Sequence, residues 1–378
     1  MANYLTKFIH DSRSVGAILL GCTALSLLLT NRFIGADFQH LLHAESPFLQ
    51  KVLLPHSPTH FINDGLMTLF FFLAGMEIKR EILSGELAGF SKALLPAGAA
   101  LGGMLVPALL FFIVTKGTIY QAGWGIPMAT DIAFSLGIAS MLGKRFPASL
   151  KIFLTALAII DDLGAILVIA FFYGSSINGY FLAAAALVVG IILLLNFLKI
   201  PFGIPQFLLG LILWWLVFNS GIHATIAGVV FAMMVPAQLL QTYEHRLHKL
   251  VNFFILPLFA LANTAILLPA DISGLLFSKL SVGIMTGLFI GKPMGIFIAC
   301  YIMVRCKLAV LPRGVNWWQI FGVGILAGIG FTMSIFITNL AFSDAILQDV
   351  GKVAILLAAI LSIVCSFIWM SAGTGKQK

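Results

Sequence analysis

An all-α polytopic membrane protein with about twelve transmembrane helices is the fold class this sequence predicts, on three observations. Of 378 residues, 60% are hydrophobic and only 10% charged, whereas a soluble domain carries about 25% charged residues. The apolar residues gather into runs long enough to approach the roughly 20 residues a bilayer span needs. The basic residues fall between those runs, sorted toward one side.

Broken at Pro, Gly and charge clusters, the runs lie near residues 15–30, 61–84, 94–115, 122–143, 149–173, 180–199, 204–218, 222–236, 251–268, 282–304, 318–341 and 352–371. The polar start, "MANYLTKFIHDSRS", and the lack of an A-x-A-like site after the first run predict a retained first helix rather than a cleaved signal peptide. With both termini inside, the outer side receives Arg32, Lys51, Lys116, Lys279 and Lys352. Every other Lys and Arg, including Lys7, Lys376 and Lys378, falls inside, except Lys292 within a span. This asymmetry fits the positive-inside rule with an even number of helices and cytoplasmic termini. It also explains the net charge of +8 better than nucleic-acid binding, because no Arg/Lys stripe with interleaved aromatics occurs. Cys22, Cys300, Cys306 and Cys365 form no C-x-x-C pair and read as small apolar residues.

Two runs carry unusual backbone. The fourth, "GWGIPMATDIAFSLGIAS", places Gly123, Gly125 and Pro127 before Thr130–Asp131. The eleventh, "GVGILAGIGFTMSIFITNL", places Gly322, Gly324, Gly328 and Gly330 before Thr332 and Ser334. Pro removes a backbone donor and Gly weakens helix, so both segments are expected to unwind near their middles. Unwound backbone in lipid is tolerated only when buried in protein or lining a watery cavity, where its carbonyls and half-helix ends hold ions. The eleventh can alternatively be read as small residues permitting close helix packing. Interrupted helices at matching places in two halves, spans 3–5 and 10–12, point to an inverted-repeat transporter whose broken helices cross near the midplane.

Five ionisable residues lie within spans: Asp64, Asp131, Asp161, Asp162 and Lys292. Two acids mid-span cost about 5–7 kcal/mol on insertion scales, against about 0.3–0.6 kcal/mol returned by each large apolar residue. Asp161 and Asp162, in "ALAIIDDLGAILVIA", point about 100° apart on a helix, yet their charges remain close enough to titrate as a pair. Such a pair holds a proton until a hard cation, Na⁺ or Li⁺, competes for its oxygens, with Thr130 and freed carbonyls as further ligands. One site that takes either protons or a metal ion is exchange chemistry, and alternating access turns the competition into antiport. Asp131 is placed to compensate half-helix dipoles. Lys292 needs an anionic partner, either Asp131 or an acid of the pair. Asp64, in "FINDGLMTLFFF", is equally compatible with a structural role. No cofactor is expected beyond the transported ions.

Two polar clusters flank the spans. "GMEIKRE" places Glu77, Lys79, Arg80 and Glu81 at the end of the second helix, and "TYEHRLHK" places Glu244, His245, Arg246 and His248 before the ninth. Each reads as a solvated helix end, or together as a sensor of internal pH, since histidine titrates there. His223, in "NSGIHATIAG", reads as a packing residue, as does the run Phe70–Phe72.

The segments "NDGLMTLFFFLAGMEIKRE", "GWGIPMATDIAFSLGI", "LAIIDDLGAILVIAFFY", "SGIHATIAGV", "ILPLFALAN", "GKPMGI" and "AGIGFTMSIFI" resemble, in order and across nearly the whole chain, the bacterial NhaA-type sodium/proton antiporters. The resemblance implies cation and proton exchange at Asp161 and Asp162, with Asp162 the principal ligand. Thr130 and Asp131 would lie at the crossing of two broken helices, with Lys292 a conformationally important base. It further implies pH regulation through Glu77, Arg80, Glu81 and Glu244, with His223 in the pH response. An ion-translocating core is expected from spans 3–5 and 10–12 (about 94–173 and 282–371), within a single transporter domain spanning 1–378. Spans 6–7 would link, and spans 1–2 and 8–9 with the outer stretch 31–58 would form a homodimer interface through an outer-side hairpin. Two departures stand out: His248–Lys249 where the family has His-Pro, and "ANTA" (Ala262–Ala265) where it has Ala-Asn-Ala-Gly.

Other classes fare worse. Intramembrane aspartyl proteases need a G-x-G-D-type acid on a second helix, and none occurs; D-D-x-x-D prenyl-transfer chemistry lacks its third acid, Ala165 standing at that place. A cation channel would assemble ligands in rings around an axis. A carrier coupling protons to another substrate is the nearest alternative.

Overall fold

The computed structural model describes residues 12–174, 176–268 and 272–373, and these are helical with no strand among them. Lys7, Lys376 and Lys378, assigned above to the inner side, lie outside the described residues. Each of the twelve expected runs has a helical counterpart. Seven are long and apolar enough to cross a bilayer: Arg13–Phe33, Pro58–Ser84, Lys92–Val114, Ala148–Phe172, Gly179–Phe197, Lys279–Arg305 and Ala345–Gly373. An eighth is the broken pair Trp317–Ala327 and Phe331–Ala341, bent by 47°. Ile132–Met141, Ile204–Phe218 and Thr225–Met234 are shorter apolar helices.

The ninth run differs most from expectation. Its helix starts at Ala237, continues through a π-turn at Val251–Ile255, and ends at Asn263. The polar Ala237–Leu250 segment is amphipathic, so hydropathy alone hides it. The outer stretch expected to hold a hairpin holds the short helices Ala36–His43 and Pro47–Lys51.

The chain divides into two compact units. One contains Glu86–Ala165 together with the described residues of Leu267–Lys378 and of Met1–Gly21. In it the third and tenth spans cross so closely that a Cβ on Gly102 would lie 2.3 Å from the Gly295 carbonyl oxygen, and one on Gly295 would lie 2.1 Å from that of Gly102. Only glycine allows two backbones this near, the small-residue packing that membrane helices use. The tenth span carries a π-turn, Gly287–Gly291, immediately before Lys292. The extra residue rotates the helix beyond it, a device that recurs at functional positions.

Both interrupted spans also lie in this unit. In the fourth, Thr118 caps a 3₁₀ segment, Ile119–Met128, that contains Pro127. Ala129 and Asp131 are extended, and an α-helix restarts at Ile132. In the eleventh, Asn316 and Gln319 form a capping box at the start, and the helix stops at Ala327 before Gly328–Gly330.

The other unit contains Cys22–Gly85 and Ile166–Ile266. Its second and eighth spans pack tightly at Gly228, where a Cβ would lie 2.3 Å from the Thr68 carbonyl oxygen. Asn63 and Asn263 exchange hydrogen bonds through their side-chain amides, at 3.2 and 2.8 Å, and tie the second span to the ninth. Asn263 belongs to the departing "ANTA" segment, where Thr264 turns its hydroxyl back onto Ala260 O at 2.8 Å. The outer helix Ala36–His43 is anchored by Gln39 Nε2 donating to Ala265 O at 2.7 Å.

Candidate functional site

Five fully buried polar residues converge where the two breaks meet: Thr130, Asp131, Asp161, Asp162 and Lys292, none more than 3% exposed. Asp161 is the hub. Its Oδ2 accepts from Lys292 Nζ at 2.7 Å and lies 2.7 Å from Thr130 Oγ1. The Thr130 hydroxyl also lies 3.0 Å from Ala327 O, and its one proton serves one acceptor at a time. Lys292 Nζ donates in addition to Met128 O, at the end of the 3₁₀ segment. Asp161 Oδ1 accepts no hydrogen bond among the described residues. Asp162 is buried beside it, a further 100° around the same helix.

Asp131 serves a different part of the crossing. Its Oδ1 accepts from Phe134 N at 2.9 Å, capping the second half of the fourth span. Its Oδ2 accepts from the backbone N–H of Thr332 at 3.1 Å and from the Thr332 hydroxyl, capping the second half of the eleventh. Each helix N-terminus carries roughly half a positive charge, so the two together offset about one carboxylate. The opposite ends meet donors instead: Lys292 at Met128 O, and Thr130 at Ala327 O. Of the two partners open to Lys292 on sequence, the geometry selects Asp161, because Asp131 is engaged by the N-termini.

The crossing repeats its own chemistry. Ser135 Oγ donates to Leu326 O at 3.0 Å, and Ser334 Oγ donates to Ile126 O at 2.8 Å, so each broken span supplies a serine to a free carbonyl of the other. The Asp131 backbone N–H donates to Ile329 O at 2.8 Å between them. The Ile126, Met128, Leu326, Ala327 and Ile329 carbonyls around the breaks thus each meet a donor, as irregular backbone inside a membrane requires. Thr332, Ser135 and Ser334 were not assigned as site residues from sequence. Their signal was position: Thr332 and Ser334 lie two and four residues beyond Gly330, and Ser135 lies four residues beyond Asp131.

In the other unit the two flanking polar clusters meet. Arg80 Nε donates to Glu244 Oε2 at 2.8 Å, and Arg80 Nη1 lies 2.9 Å from Glu81 Oε1. His248 Nε2 lies 3.0 Å from Glu77 Oε1. Glu81 and Glu244 are buried rather than solvated. Burial raises the Glu244 carboxyl above its ordinary range; the Arg80 charge opposes this and the Glu77 charge adds to it. The hydrogen bond to Glu77 raises His248, against the effect of burial. His248 was named in the candidate pH-sensing cluster but not among the regulatory residues, and its partner Glu77 lies too far away along the chain to be read from spacing. Lys79 lies nearby and donates to Met233 O at 2.7 Å and Val235 O at 2.6 Å, holding the end of the eighth span.

Asp64 and His223 come together elsewhere in this unit. Asp64 Oδ2 lies 3.1 Å from His60 Nε2, and Oδ1 lies 3.8 Å from His223 Nδ1. His60 was missed, although its i, i+4 relation to Asp64 is visible in the sequence.

The sequence is similar over residues 6–370 to the family described as Na+/H+ antiporter 1. Among curated relatives, a Na(+)/H(+) antiporter NhaA of Cytophaga hutchinsonii is 45% identical over 370 residues, covering 96% of this chain and 94% of the relative. That of Flavobacterium psychrophilum is 47% identical, covering 94% and 92%. That of Dechloromonas aromatica is 44% identical, covering 98% and 96%.

Proposed function

Because this chain belongs to the Na+/H+ antiporter 1 family, a multi-pass membrane protein that exchanges Na⁺ and H⁺, we propose that it exports Na⁺, and also Li⁺, against protons by alternating access at Asp161 and Asp162. The observation that carries this is the convergence of Lys292 and Thr130 on one oxygen of Asp161, at the crossing of two broken helices. An ammonium already balances that carboxylate. A Na⁺ arriving at the acids brings a second positive charge into a buried site, which favours release of protons to the same side. Thr130 Oγ1 and Asp161 Oδ1 supply hard oxygen ligands, and Asp162 supplies the second carboxylate. Asp131 holds both restarted helices by their N-termini, so the crossing can shift as one body while its dipoles stay compensated.

The exchange is electrogenic when more than one proton moves per Na⁺. The Glu77, Arg80, Glu81 and Glu244 cluster regulates it from the inner face, and His223 takes part in the pH response from its place beside Asp64. The protein acts in the bacterial inner membrane as a homodimer, with both termini cytoplasmic and no cofactor. The test uses inside-out vesicles with an imposed proton gradient and a ΔpH dye. Na⁺ and Li⁺, but not K⁺ or choline, collapse the gradient, and Asp162→Asn abolishes the response. No response to any cation from inserted protein would reject this reading.

A further inference from the structure

The turn that breaks the eleventh span, residues 326–329, is fastened at both ends by the fourth. The Ile329 N–H closes it onto Leu326 O at 3.1 Å. Ser135 Oγ donates to that same Leu326 O at 3.0 Å, and the Asp131 N–H donates to Ile329 O at 2.8 Å. The tenth span confines the turn from a third side, because a Cβ on Gly328 would lie 2.5 Å from Leu288 O. Leu288 belongs to the π-turn just before Lys292. Between the two fastened ends stands the Ala327 carbonyl, whose oxygen lies 3.0 Å from Thr130 Oγ1. The same hydroxyl lies 2.7 Å from Asp161 Oδ2. Ser135 is fully buried. Its single proton goes to Leu326 O, so it reaches the acids only through this turn.

We propose that Ser135 is a positioning residue for cation binding, which fixes the 326–329 turn so that the Ala327 carbonyl stands ready to take the Thr130 proton. A hydroxyl has one proton and two lone pairs. While the site holds no cation, the Thr130 proton serves Asp161 Oδ2. An arriving cation repels that proton, which turns about the Cβ–Oγ bond to Ala327 O and leaves the Thr130 oxygen facing the acids as a ligand. No covalent bond breaks in this step. The second acceptor has to be in place beforehand, because a buried hydroxyl that turns away from one acceptor and finds no other loses its hydrogen bond. Holding a ligand's partner in place is how supporting hydrogen bonds tune a binding site. Ser334 makes the corresponding bond on the opposite side, to Ile126 O at 2.8 Å, two residues before the Met128 carbonyl that accepts from Lys292. Ser135 therefore serves the cation-ligand side of the crossing and Ser334 the ammonium side. The inference rests on the antiport reading.

The experiment reconstitutes the full chain in liposomes and measures initial rates of Na⁺-driven proton movement at one fixed pH, over a range of Na⁺ concentrations that separates KM from kcat. Ser135→Ala raises KM for Na⁺ about two- to five-fold, the lower part of what one net hydrogen bond contributes, and the change falls on KM rather than kcat. Ser135→Cys fills the same space with a weaker donor, and its KM lies between those of Ser135→Ala and the wild type. In a chain that already carries Thr130→Val, Ser135→Ala adds nothing, because no hydroxyl remains to be turned. Effects that multiply in the double variant would overturn the proposal, as would a loss confined to kcat. A Ser135→Cys protein that matches the wild type would assign the effect to packing and overturn it too. So would a Ser334→Ala protein with an equal rise in KM, which would mark a general loosening of the crossing. Each of these results leaves the antiport reading standing, whereas a wild type without Na⁺-coupled exchange would remove both.

Discussion

Replacing Glu77 by Gln leaves the volume of the side chain and deletes one charge that faces two titrating groups. His248 is raised mainly by its hydrogen bond to Glu77, and Glu244 is raised by burial with the Glu77 charge adding to it. A group raised in the folded state contributes stability that is full below its ordinary midpoint and is lost as pH rises through the raised one. Each group therefore fastens the cluster below its ordinary midpoint, about 4.3 for a glutamate and about 6.5 for a histidine, and releases it as pH rises through the raised one. For a cluster that holds exchange inactive while it is fastened, release is activation. Glu77→Gln lowers both titrations, so the activation midpoint moves toward acid. The pair is close, 3.0 Å, but His248 is 52% exposed, and water screens it. Exposed pairs contribute about 0.2–1 kcal/mol, which at 1.36 kcal/mol per unit amounts to about 0.15–0.7 pH units. The assay is Na⁺-induced collapse of ΔpH in inside-out vesicles, scanned with inner-face pH. A midpoint that stays fixed, or moves toward alkali, refutes the argument.

Thr130→Val keeps the shape but removes the hydroxyl between Asp161 and Ala327 O; losing a net hydrogen bond of about 0.5–1.5 kcal/mol, it raises the apparent KM for Na⁺ about two- to twelve-fold, read from initial rates of dye response. Asp131→Asn halves the acceptor capacity that serves two helix N-termini, so thermal unfolding in detergent shows a loss of about 1–2 kcal/mol, of the size of a lost cap. Gly102→Leu drives a side chain into the Gly295 backbone and lowers the unfolding temperature by the equivalent of about 1–3 kcal/mol or more, seen as early aggregation on heating. A membrane potential drives Na⁺ flux at zero ΔpH, since 100 mV contributes about 2.3 kcal/mol per net charge; voltage-insensitive flux would reject electrogenic exchange.

Amino-acid order alone determined the class of the fold and the identity of the anomalies. Hydropathy is local, so apolar runs, the breaks at Pro127 and Gly328–Gly330, and five charges within spans are all visible without coordinates. The insertion cost of those charges marks them as anomalies that need an explanation, whatever surrounds them. The start of the ninth helix was not visible, because Ala237–Leu250 hides an amphipathic helix behind polar composition. Partner choice was not visible either. Lys292 follows Asp131 and Asp161 by 161 and 131 residues, and only the crossing of the breaks, which commits Asp131 to two N-termini, leaves Asp161 as the partner. In the same way "GMEIKRE" and "TYEHRLHK" look like two solvated helix ends until packing buries Glu81 and Glu244 around Arg80. Sequence sets which charges must be compensated, because desolvation acts on each residue separately. Tertiary structure decides which groups compensate them, because hydrogen bonds and ion pairs act over about 3 Å in space and not along the chain.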